Sequence, residues 1–139
     1  MKTVKEVSDL TGISVRTLHY YDENARVLEQ AAAIRGGDLP AFFDAVNRSG
    51  ESSWKLLQNV YARPTEEQMA MGIELSRRFL HGDGAQRVHG GGFAGTIQAY
   101  VPLDRLDDYK KLMEDAFGPG SCTALMVRPE GAVMMPMEG

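Results

Sequence analysis

Cysteine is nearly absent from this 139-residue chain. The single thiol, Cys122, excludes an intrachain disulfide and any multi-cysteine metal site, so a reducing, cytoplasmic setting is expected. Histidine is scarce as well: His19, His81 and His89 share no metal-ligand spacing, so neither zinc nor any other metal or cofactor is expected. The N-terminus, MKTVKEVSDLTG, lacks the apolar core of about ten residues that a signal peptide needs. No run approaches the roughly 18 apolar residues of a membrane span, and no membrane association is expected. Excess positive charge is also missing. The formal net charge is −4, which argues against a broad electrostatic grip on nucleic acid but leaves room for a small local contact.

What is present is the composition of a folded domain, with 43% hydrophobic and 24% charged residues. Val4, Val7 and Leu10 at three-residue spacing predict a short helix stopped by Gly12, and Ser14 stands where a hydroxyl can cap the next one. Two short helices so separated are the pattern of a helix-turn-helix. From Val15 to Arg35 there is neither proline nor glycine, and Leu18, Tyr21, Ala25, Leu28 and Ala32 lay down one apolar stripe. Gly36 and Gly37 end that helix, and Asp38 caps a second one whose buried side is Leu39, Phe42, Phe43 and Val46. The polar run NRSGESS, Asn47 to Ser53, predicts a break before a short apolar-faced segment with Trp54, Leu57, Val60 and Tyr61. Thr65 and Gln68 have the spacing of a capping box for a helix reaching Leu80.

After His81–Gly84 the period changes. Ala85 to His89 and Thr96 to Val101 predict strands, Leu103 to Phe117 a helix, and Cys122–Val127 and Ala132–Met135 two further strands. The expected fold class is therefore α+β: a helical first half, beginning with a truncated helix-turn-helix, packed on a small antiparallel or mixed sheet. Between the first two strands lies GGGFAG, Gly90 to Gly95, too costly in backbone entropy to be casual. A tight hairpin connection and an active-site loop with exposed amides both account for it. A P-loop or dinucleotide fingerprint does not, because both need a strand leading into a helix, and the Lys–Ser/Thr ending is missing.

The stretch GAQRVHGGGFAGTIQAYV, Gly84 to Val101, closely resembles the third conserved motif of galactokinases in the GHMP small-molecule kinase superfamily, with Ala94 in place of a common glycine and His89 in place of a common threonine. The resemblance runs from Asn24 to about Met135 and takes in NRSGESS and the closing CTALMVRPEGAVMM. It implies the ferredoxin-like sheet of a GHMP kinase C-terminal domain. His89, Gly90, Gly91, Gly92, Phe93, Ala94 and Gly95 are then the ligand or phosphate-loop candidates, for a sugar or a nucleotide. It also implies that this polypeptide is not a kinase by itself, and no catalytic residue is assigned. The sugar-recognition lobe, the loop that wraps the ATP phosphates and the acidic catalytic group of that family have no counterpart in the sequence. Phosphoryl transfer depends on positioning and charge stabilisation from both sides of a cleft.

The start, MKTVKEVSDLTGISVRTLHYYDE, resembles the beginning of MerR-family transcription regulators. By matching position, Ser14, Arg16, Thr17, His19 and Tyr20 are the implied DNA-contacting residues, while Val7, Leu10, Ile13 and Leu18 hold the two helices together. The match departs after Glu23, where that family continues into a β-hairpin wing. Residues 1–35 carry five Lys/Arg and five Asp/Glu, so the phosphate attraction that dominates DNA affinity is weak in a single copy. The resulting division is a head at 1–23 and a galactokinase-like body at 24–139. The expected partners are DNA and a second copy of the chain. Three functions stay open: a noncatalytic regulator, an accessory half of a GHMP kinase, and an inactive fused remnant.

Overall fold

The computed structural model describes residues 15–63, 65–93 and 95–127, with the side chains of 15–23 left aside. The helix expected at Val4–Leu10, the cap at Ser14 and the strand expected at Ala132–Met135 lie outside the described residues. Helix α1 spans Val15–Gly36, as the absence of breakers predicts. It ends where Gly37 turns left-handed, at φ 71°. The Asp38 N–H reaches back to the Ala33 carbonyl at 2.9 Å and the Gly37 N–H to that of Ile34 at 3.1 Å, which satisfies the last carbonyls of the helix. Asp38 then caps α2, Leu39–Ser52, its Oδ1 accepting from the Ala41 N–H at 3.0 Å.

Helix α2 buries Phe42, Ala45, Val46 and Ser49. Phe42 and Val46 form one core cluster with Ala85, against which Ala33, Phe43 and Tyr100 pack. The Phe42 and Tyr100 rings meet edge to face, 5.2 Å between centroids. Helix α1 contributes little to this core: Val27 is 59%, Leu28 73% and Ile34 59% exposed. An ion pair from Arg48 to Glu29, 2.6 Å, ties the two helices at the surface.

The break expected at NRSGESS does not occur. Helix α2 runs through it to Ser52 and passes into a π-helical turn, Ser53–Leu57, ended by Gln58 at φ 54°. Asn47, Ser49 and Gly50 of this run face the sheet, while Arg48 and Glu51 are exposed. Asn47 Nδ2 donates to the Gly84 carbonyl at 3.2 Å, and its Oδ1 accepts from the Gln86 N–H at 3.0 Å. Arg87 Nη1 donates to the buried Ser49 hydroxyl at 2.5 Å. Gly50 permits the close approach: a Cβ there would lie 2.9 Å from both the Gln86 carbonyl and Arg87 Cβ.

Helix α3, Gln68–Leu80, starts later than the Thr65–Gln68 pattern predicts, and no capping box forms. Thr65 belongs to a tight turn in which the Glu66 N–H donates to the Arg63 carbonyl, so Glu67 takes the cap position without a side-chain bond. Val60, Ala70, Ile73 and Val88 make the second core cluster, with Trp54, Tyr61 and Ile97 packed on it. After a short 3₁₀ turn at Leu103–Arg105, helix α4, Leu106–Phe117, lays Tyr109 and Met113 against α3. The buried Ser76 hydroxyl donates to the Gly72 carbonyl and shares a 2.7 Å hydrogen bond with the Tyr109 hydroxyl; burial pushes the Tyr109 pKa up.

The strands β1, Ala85–Val88, and β2, Ile97–Tyr100, pair antiparallel, Ala85 opposite Tyr100 and Val88 opposite Ile97. The fold is α+β, helices on a small antiparallel sheet, and two strands make up that sheet among the described residues. The strand expected at Cys122–Val127 is not formed. The segment is irregular, with Leu125 86%, Met126 96% and Val127 93% exposed, because β-forming residues hold a strand only when a neighbour completes the ladder. No helix among the described residues is long and apolar enough to cross a membrane.

Candidate functional site

The glycine-rich segment is the tip of the β1–β2 hairpin. The His89 N–H donates to the Thr96 carbonyl at 3.1 Å and closes the loop. Gly90, Gly92, Phe93 and Gly95 all have positive φ, between 60° and 83°. For Phe93 that conformation is strained and persists only where the surroundings over-determine it. They do so through Asn59, which sequence reading missed. Asn59 is 2% exposed; its Nδ2 donates to the Gly91 carbonyl at 3.1 Å, and its backbone carbonyl accepts from the Phe93 N–H at 2.9 Å. Gly92 lies so near that a Cβ would overlap the Asn59 carbonyl, so only glycine fits. The one signal in the sequence was an asparagine set among the apolar residues of LLQNVY.

Held this way, the loop spends the amides of Gly92 and Phe93 internally, while those of Gly90, Gly91 and Gly95 have no partner among the described residues. The Phe93 ring is 58% exposed. It borders an open depression of about 510 Å³ shared with Gln58, Tyr61, Arg63 and Glu67. His89 sits at the loop's entrance, its Nδ1 hydrogen-bonded to Gln98 Oε1 at 3.1 Å. Ala94 lies outside the described residues. Asn59 Oδ1 is buried without a hydrogen-bond partner among the described residues, an acceptor that costs about 1–3 kcal/mol to leave unmet. Burial raises the pKa of the Cys122 thiol, which opposes thiolate formation and leaves it a poor nucleophile at neutral pH.

Of the five head residues, Ser14 lies outside the described residues, and Arg16, Thr17, His19 and Tyr20 fall on α1 with side chains outside them. Backbone placement puts those four on the first two turns of a helix that continues unbroken to Gly36.

The model of the MerR family regulatory protein matches residues 3–24. The rest of the chain is similar to galactokinases: 29% identical over 117 residues to that of Haemophilus influenzae (strain Rd), covering 81% of this chain and 29% of the relative. The galactokinase of Mycobacterium bovis is 36% identical over 95 residues, 67% of this chain and 24% of the relative. The HTH-type transcriptional regulator AlkS of Alcanivorax borkumensis is 25% identical over 115 residues, 81% of this chain and 13% of that protein. No solved structure matches the chain. The chain thus spans between about a quarter and three-tenths of the length of these galactokinases. The match to the MerR family model, over residues 3–24, thus overlaps the start of α1, and the chain is also similar to part of the galactokinases.

Proposed function

We propose that the chain is a noncatalytic transcription regulator, residues 1–23 forming a MerR-like DNA-binding head and residues 24–139 a galactokinase-derived domain for dimerisation or sensing. The observation that carries this is the family match over residues 3–24, which runs directly into the unbroken helix Val15–Gly36. At 1.5 Å per residue that helix is about 33 Å long, so a displacement in the body is transmitted to the head as a rigid lever. Ser14, Arg16, Thr17, His19 and Tyr20 are the DNA-contacting residues in this reading. Two copies are required, because a helix-turn-helix reads two half-sites about one DNA turn apart and a single head has no net positive charge. The loop His89–Gly95, whose Gly90, Gly91 and Gly95 amides meet no partner among the described residues, is the place where a sugar or nucleotide binds beside the Phe93 depression. A cytoplasmic location goes with this role.

A mobility-shift titration with promoter DNA at increasing salt tests it. Selective retardation is expected, with Arg16→Ala weakening binding on every sequence and lowering the salt slope by about one. No shift beyond that of random DNA, at low salt and micromolar protein, overturns the reading.

A second reading rests on the galactokinase similarity over 81% of the chain: the body acts as an accessory half of a GHMP kinase. Mixing the chain with a separately expressed galactokinase N-terminal lobe would then restore galactose phosphorylation. The lobe remaining inactive removes this alternative.

A further inference from the structure

The two edges of the hairpin are treated differently. Because His89 and Thr96 form a hydrogen-bonded pair, the pattern alternates so that Arg87–Gln98 and Ala85–Tyr100 bond across the ladder, and the backbone groups of Gln86, Val88, Ile97 and Ala99 point outward. On the β1 side helix α2 lies over the edge at Gly84 and Gln86, and Val88 is 1% exposed. The Asn47 amide donates to the Gly84 carbonyl and accepts from the Gln86 N–H, as the backbone of a neighbouring strand would. On the β2 side the outward N–H groups of Ile97 and Ala99 meet no partner among the described residues.

The same chain carries a strand-forming run that pairs with nothing among the described residues. Ser121 is fixed to the end of α4, its hydroxyl donating to the Met113 carbonyl at 3.3 Å and its N–H to that of Gly118 at 3.2 Å. Beyond it, Leu125, Met126 and Val127 stand 86–96% exposed, away from their own sheet. An apolar strand without a ladder and a ladder without its strand are complementary. We propose that in the dimer Cys122–Val127 of each copy adds to the open edge of β2 in the other, a reciprocal strand exchange with two-fold symmetry. This deepens the pairing invoked under the proposed function and makes no use of DNA binding.

Sedimentation and amide hydrogen exchange of the full chain test it together. The intact protein is expected to be a dimer in which Ile97 and Ala99 exchange about tenfold or more slowly than after dilution to the monomer. Two variants attack the two sides of the contact. Leu125→Lys with Val127→Lys charges side chains that are 86% and 93% exposed in one copy. Ala99→Pro deletes an outward N–H without touching the ladder to β1. Both are expected to be monomeric, with circular dichroism unchanged and Ile97 fast-exchanging. An intact chain that is monomeric, a dimer that survives both variants, or protection at Ile97 and Ala99 that persists on dilution overturns the exchange. Should either variant unfold, the dilution series of the intact chain decides alone. A dimer that survives both variants leaves dimerisation by another surface standing, and a failed mobility shift leaves the exchange standing.

Discussion

The hairpin loop and helix α1 carry the two resemblances in this chain, and they are held in opposite ways. The loop is fastened to a buried side chain: Asn59 takes the Gly91 carbonyl and the Phe93 amide and leaves no room for a side chain at Gly92. Helix α1 touches the body along one side, through Ala33 and the Glu29–Arg48 pair, while Val27, Leu28 and Ile34 remain in solvent. A segment whose identity is written into the core tolerates little change. One held along a single side, as α1 is, is constrained chiefly by helix propensity and by those few contacts.

Gly92→Ala is the sharpest way to probe this contrast. The new methyl group collides with the Asn59 carbonyl in a backbone conformation that alanine resists, and a loss of about 3 kcal/mol is expected in urea unfolding. An unchanged midpoint would mean that the loop is not seated on Asn59. Asn47→Ala should cost about 2 kcal/mol, since it leaves the Gly84 carbonyl and the Gln86 N–H unpaired at the sheet edge. By contrast, Leu28→Lys on the exposed flank of α1 is expected to shift the midpoint by no more than about 0.5 kcal/mol. A larger loss would place that flank in a core.

The smallest effect is electrostatic. Hydrogen bonds from Arg77 and Arg78 hold the Glu74 carboxyl at about 2, below its ordinary 4.5. A carboxylate depressed on folding stabilises the protein above its unfolded value and loses that contribution as the pH falls toward 2. Glu74→Gln should therefore flatten slightly the decline in melting temperature between pH 4.5 and 2. The difference should shrink in molar salt, because the site is solvent-screened.

Local rules made α1 and α2 legible. Gly36 and Gly37 stop one helix and Asp38 starts the next because the groups that satisfy a helix end are neighbours in sequence. The hairpin was legible for the same reason: its strands flank a run that few residues other than glycine can form. What failed depended on partners distant in sequence. Polarity in NRSGESS resembled a surface break, yet Asn47, Ser49 and Gly50 are polar or small because β1 lies against them. Cys122–Val127 has strand propensity but no ladder in one copy. Asn59, the residue that shapes the candidate site, acts across 32 positions and carries no local motif.

Asn47 has a consequence for how many molecules come together. By standing in for a neighbouring strand at Gly84 and Gln86, it blocks the β1 edge and leaves β2 as the edge at which the proposed exchange adds a strand. A sheet open on both sides could string copies into a fibre without end. In the proposed exchange, a sheet blocked at β1 closes with its first partner, so this asparagine would favour a discrete pair over a polymer.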